Sequence, residues 1–184
     1  ILASGSGTNA ENIIRYFKDH DEIAVTLVLS NKKDAKVLER AANMNVENRF
    51  FKRSEFYNDT TVYELLKMQA DWIVLAGFLW KVPENLIKTF ENRMVNIHPA
   101  LLPKYGGKGM YGMHVHNSVV ANKEKFSGIT IHYVNDKYDE GAIIFQEKVA
   151  VGPLDTAEDV ATKIHKLEYT WFPRIIEREV LADV

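Results

Sequence analysis

The sequence predicts an α/β fold: a single domain over residues 1–184, built as a doubly wound, mostly parallel sheet with helices on both faces. Three observations point to it. Short β-branched, apolar runs alternate with segments of helical periodicity through the first half of the chain, the pattern of parallel strands joined by right-handed crossovers. A glycine-rich loop, Ser4-Gly5-Ser6-Gly7-Thr8-Asn9, joins an apolar start to the first helical segment. The apolar run Met94 to Ile97 ends among polar residues and prolines, in Asn96-Ile97-His98-Pro99-Ala100-Leu101-Leu102-Pro103, as a strand does at the ligand-binding edge of an open sheet.

Taken in order, Ile1 to Ala3 read as the tail of a first strand, truncated by about two to three residues against a typical length of roughly five to six. Glu11 to Lys18 carries Ile13, Ile14 and Phe17 at helical spacing, with Thr8 or Asn9 as N-cap. Ile23 to Leu29 is a strand, Ala35 to Ala42 a helix with Val37, Leu38 and Ala41 inward, and Val46 to Lys52 a weaker strand. A helix around Thr61 to Gln69 leads to the apolar strand Trp72 to Ala76, which stops at Gly77. Pro83 suits the first turn of a short helix, where its missing N–H has no helical partner anyway.

Beyond the proline-rich turn, Tyr105 to Gly112 contains four glycines and is expected to be mobile, and His114 to Ala121 resumes a helix. Strands near Ser127 to Val134 and Ala142 to Val149 add antiparallel or mixed pairing. Asp155 to Glu158 offers capping chemistry for a long helix with the stripe Val160, Ile164, Leu167, Trp171 and Ile175, which Pro173 is expected to kink.

Composition narrows the function. A net charge of −2 supplies no sequence-wide attraction for nucleic acid or an anionic membrane. With no cysteine, a disulfide framework, a thiolate nucleophile and a cysteine metal site are excluded. No apolar run approaches the roughly 20 residues that span a bilayer, and no signal peptide opens the chain, so a cytoplasmic protein is expected.

The glycine loop sits where free N–H groups and a helix dipole favour phosphate. It lacks the lysine of a Walker loop and the third glycine of a dinucleotide fingerprint, so a phosphate site and a plain strand-to-helix turn both fit. Asn96 and His98 lie two apart on one strand and share a face, which lets an amide donor and an imidazole converge on one atom. Their position beside rigid prolines favours a functional role over local capping. Asp139 is either the head of an Asx-turn with Gly141 or a catalytic carboxylate. Glu168 falls on the inward stripe of the last helix, where a carboxylate needs a partner: a core lysine or arginine, or a ligand hydroxyl. His114 and His116 would stand about 200° apart on a helix, and no third ligand supports them, so no metal site is expected. Lys104 and Lys108 read as solvated.

Together with His132-Tyr133-Val134-Asn135-Asp136-Lys137-Tyr138-Asp139-Glu140-Gly141, these motifs give nearly the whole chain a likeness to one family. It resembles the phosphoribosylglycinamide formyltransferases of purine synthesis. The resemblance implies the formyltransferase fold and transfer of a formyl group from 10-formyltetrahydrofolate, the co-substrate, to the amine of glycinamide ribonucleotide. It assigns catalysis to Asn96, His98 and Asp139, the ribonucleotide phosphate to Gly7, Thr8 and Asn9, and the ribose to Glu168. It also assigns the folate pterin to Leu79, Trp80, Lys81, Val82, Asn135 and Asp136, with His132 supporting that loop. The family's arginine for the folate tail is not evident at Asn58-Asp59-Thr60-Thr61, and Gly106 to Met113 is longer than the usual connection, as a lid over the phosphate would be. The alternatives are a formyltetrahydrofolate hydrolase, a formyltransferase acting on another amine, and, in a different class, a non-catalytic phosphate-ligand binding module.

Overall fold

A computed structural model describes residues 1–183. Seven strands form one sheet: β1 (Leu2–Ala3), β2 (Leu27–Ser30), β3 (Glu47–Phe50), β4 (Ile73–Leu75), β5 (Met94–His98), β6 (Phe126–Tyr133) and β7 (Ile143–Ala150). Their spatial order is β3-β2-β1-β4-β5-β6-β7. The first five are parallel, β6 runs antiparallel to β5, and β7 antiparallel to β6. The helices are α1 (Thr8–Phe17), α2 (Lys36–Asn43), α3 (Arg53–Tyr57), α4 (Thr61–Gln69), α5 (Glu84–Thr89), α6 (Met113–Ala121) and α7 (Ala157–Ala182).

The two-residue alternation of side chains along a strand explains why both faces are apolar. Val74, Val95 and Ile97 face a core completed by α1, α6 and α7, where Val115, Ile164 and Phe172 are buried. The intervening Ile73, Leu75 and Met94 face the opposite core, which Phe56, Leu66 and Leu86 of α3, α4 and α5 close. Each such side chain contributes about 1.5–3 kcal/mol through burial. A third cluster packs α1 and α2 on β1 and β2 through Ala10, Ile14, Val37 and Ala41.

Three local expectations change. The strand expected from Ile23 begins only at Leu27, because its neighbours offer no ladder earlier: β3 pairs from Glu47 opposite Leu27, and β1 from Leu2 opposite Leu29. Ile23 and Val25 instead pack against the core as partly buried loop residues. α1 starts at Thr8, so Thr8 and Asn9 are its first helical residues and Gly7 is the N-cap. α7 runs unbroken through the buried Pro173. Leu167 and Trp171, expected inward on its stripe, are only partly buried against the core.

Gly7 sets the entry to α1. Its φ is +74°, and a Cβ there would stand 2.4 Å from Val37 Cβ and 2.6 Å from Val37 Cα, so α2 can approach only a glycine. Gly7→Ala is therefore expected to destabilise the fold by about 2–4 kcal/mol through left-handed strain and overpacking. Urea denaturation measures this; a loss under about 1 kcal/mol would show that α2 shifts freely.

The proline-rich turn after β5 is fixed by one buried hydroxyl. Thr130 Oγ1 donates to Ala100 O (2.7 Å) and accepts from Leu102 N (3.0 Å) and Gln146 Nε2 (2.8 Å). A hydroxyl has one proton and two lone pairs, so all three are used. The turn is thus tied to β6 and β7, and the end of β5 is held in place.

Candidate active site

A cavity of about 550 Å³ opens at the carboxyl ends of β1, β4 and β5. Chain order reverses here, with β1 flanked by β2 on one side and β4 on the other, which is where open α/β sheets bind ligands. The glycine loop and the start of α1 form one end, and Asn96, His98 and Asp139 line the cavity with them. Among the described residues no group of three or more His, Asp or Glu side chains is placed to hold a metal.

His98 is buried, and its Nε2 lies 2.7 Å from Tyr105 O. A carbonyl can only accept, so Nε2 holds the proton and Nδ1 faces Asp139 Oδ2 at 3.6 Å. Burial lowers the His98 pKa below the ordinary 6.5, against the opposing pull of Asp139 and the Tyr105 carbonyl. The ring is neutral at pH 7, with a free lone pair on Nδ1.

Asp139 sits at φ +57°. Its Oδ2 accepts from Gly107 N (2.8 Å), and its Oδ1 lies 3.7 Å from His132 Nε2. Burial raises its pKa, but the Gly107 N–H and, whenever they carry a second proton, the His132 and His98 rings outweigh that and hold the carboxyl below its usual value. It is ionised at pH 7.

Asn96 Nδ2 lies 3.0 Å from His132 Nε2, while His132 Nδ1 lies 2.8 Å from Tyr133 O. The same carbonyl logic puts the His132 proton on Nδ1 and makes Nε2 an acceptor for one Asn96 N–H. The second N–H of that amide remains for a ligand. Asn96 and His132 are direct partners across β5 and β6, so this contact follows from strand register.

At the other end of the cavity, Glu168 is 5% exposed. Neither a lysine nor an arginine pairs with it: Asn9 Nδ2 donates to its Oε2 (2.9 Å), and His165 Nδ1 lies 2.8 Å from the same oxygen. That bond raises the His165 pKa, against a smaller lowering by burial. Asn9 Oδ1 is buried without a partner, which leaves an acceptor at this end of the cavity. Thr8 and Gly7 complete it, and the first N–H groups of α1 lack intrahelical partners.

Of the residues tied by resemblance to a folate, Leu79 lines the cavity. Trp80 packs beside Phe51 and Phe56, the Lys81 carbonyl accepts from Tyr57 Oη (2.7 Å), and Val82 is buried in the core. Asn135 Oδ1 accepts from Lys137 N (2.9 Å), and Asp136 is exposed; in that loop Tyr138 and Asp139 line the cavity. Lys104 pairs with Glu124 on the surface, and Lys108, although exposed, lines the cavity with the rest of its glycine-rich loop.

Three contributors escape the sequence reading. Tyr105 and Gly107 act through backbone atoms, which no side-chain motif reveals. His165 lies three residues before Glu168, a helical spacing that signals the pair. An arginine does stand near the segment that the resemblance ties to folate, five residues before Asn58: the Arg53 guanidinium lies 4.7 Å from the Tyr57 ring centroid and 5.4 Å from that of Trp80.

Known proteins resemble this chain in sequence and fold. The chain is 32% identical to a Bacillus subtilis phosphoribosylglycinamide formyltransferase, with 97% of this chain and 92% of that protein covered. It is 36% identical to a chloroplastic enzyme of the same name from Vigna unguiculata, over 96% of this chain, and spans only 59% of that protein's length. A crystal structure of phosphoribosylglycinamide formyltransferase from Bacillus halodurans superimposes with a TM-score of 0.85 at 36% identity, covering 96% of this chain and 92% of that one. The sequence pattern of the formyl transferase family matches residues 1–176, nearly the whole chain, and this chain belongs to that family.

Proposed function

We propose that the protein transfers the formyl group of 10-formyltetrahydrofolate to the amine of glycinamide ribonucleotide. The observation that carries this reading is the shape of the cavity: an uncapped helix start and a buried carboxylate at one end, and an amide, a neutral imidazole and an ionised carboxylate at the other. A substrate with a phosphate, a ribose and a reacting amine matches that order. Its phosphate meets Gly7, Thr8 and Asn9 at the helix start. Its ribose hydroxyls meet Glu168, a stronger acceptor than any neutral group nearby. The segment from Gly106 to Met113 covers the bound ribonucleotide, and the folate enters past Leu79 and Tyr138, with Arg53 available to its tail carboxylates.

The amine attacks the formyl carbon, and the C–N bond forms as negative charge gathers on the formyl oxygen. The free N–H of Asn96 donates to that oxygen. The amine's proton passes to the Asp139 and His98 pair, directly or through water, and is returned to the departing folate nitrogen as its bond to carbon breaks. His98 gains a proton at Nδ1 during this exchange, and the facing carboxylate stabilises the imidazolium.

One assay tests the reading: 10-formyltetrahydrofolate is mixed with the protein, with and without glycinamide ribonucleotide, and tetrahydrofolate release is followed. Release only with the ribonucleotide supports it. Release without it means hydrolysis, and none in either case means a binding protein.

The protonation states also set the pH response. Because burial lowers the His98 pKa, Nδ1 stays free as the pH falls and is lost only below 6.5. The acid limb of the kcat/KM profile is therefore expected below pH 6.5, and a limb at higher pH would assign the titration to another group.

A further inference from the structure

His116 has no role in the mechanism above, yet its surroundings are those of a recognition group. It lies in the first turn of α6, is 2% exposed, and lines the cavity. Its Nδ1 is buried with no hydrogen-bond partner, an arrangement that folded proteins avoid unless a ligand or water supplies one. The same cavity is lined by His165 and Glu168 and by His98 and Asp139, so His116 shares it with both the proposed ribose-binding carboxylate and the proposed catalytic pair.

We propose that His116 hydrogen-bonds, through Nδ1, the amide of the ribonucleotide that links the ribose to the reacting amine, and so selects the substrate. The inference rests on the function proposed above. A phosphate is disfavoured here, because Glu168 would repel it and burial keeps the imidazole uncharged. The ribose hydroxyls already have Glu168. An uncharged amide, with one acceptor and one donor, suits a neutral ring that presents either an N–H or a lone pair.

The test compares the parent with His116→Leu and His116→Asn, with KM measured for both substrates and folding checked by thermal melting. The leucine variant is expected to raise KM for glycinamide ribonucleotide about tenfold, the upper range for one neutral hydrogen bond, and to leave KM for 10-formyltetrahydrofolate within about twofold. The asparagine variant places an amide where Nδ1 stood and is expected to return KM to within about threefold of the parent. An unchanged ribonucleotide KM in the leucine variant, an equal rise for both substrates, or an asparagine variant as impaired as leucine would each overturn the inference. His116→Phe, which keeps a flat ring, is read by the same criteria if the leucine variant fails to fold. A parent that releases no folate with the ribonucleotide overturns the functional reading and this inference together, whereas a turning-over parent with insensitive variants overturns this one alone.

Discussion

Asp139→Asn is expected to lower kcat by about 10²–10⁴, the range for losing a positioned proton acceptor, while KM for both substrates stays within about threefold. The substitution keeps the size of the side chain and leaves an oxygen for the Gly107 N–H, so the loop geometry survives. What disappears is the negative charge between His98 and His132. That charge opposes the effect of burial on His98, so its removal lets the His98 pKa fall further and moves the acid limb of the rate profile to still lower pH. A variant with kcat within about threefold of the parent would place proton transfer elsewhere. A large fall in kcat with an unmoved acid limb would mean that Asp139 acts without His98.

Asn96→Ala is expected to lower kcat by about 10²–10³, the usual loss for one oxyanion donor, with a smaller change in KM. The effect belongs to the transition state because the N–H meets full negative charge only after the amine has attacked. Asn96 is only partly buried, so truncation leaves a site that water can reach, and the melting temperature is expected to change little. Melting and steady-state kinetics measured on one preparation separate the two effects. A kcat within about fivefold of the parent would remove Asn96 as the oxyanion donor.

How much of this was legible in the sequence depended on distance along the chain. The convergence of Asn96 and His98 was readable because the period of a strand is local: residues two apart face the same way, whatever packs around them. The apolar runs of β4 and β5 were readable for the same reason. The limits of β2 were not, because a strand ends where its neighbours stop offering a ladder, and those neighbours lie far along the chain. Glu168 was recognisable as a carboxylate in need of a partner, but Asn9 is 159 residues away and the partner's identity comes from the packing of α7 on α1. The approach of Asp139 to His98 likewise depends on the β6–β7 connection folding back towards the proline-rich turn. Arg53 lies outside Asn58 to Thr61, and only the packing of α3 brings its cation against Trp80.

The segment from Tyr105 to Gly107 grips His98 with a carbonyl and Asp139 with an N–H, two residues apart on one turn. Such a mounting couples two coordinates that would otherwise vary separately. A displacement of the turn carries base and carboxylate as a unit, preserving their spacing while changing their aim at the substrate. Tolerance at this site is therefore uneven: the spacing of the two groups is insulated from strain in the loop, and their distance to a bound substrate absorbs it.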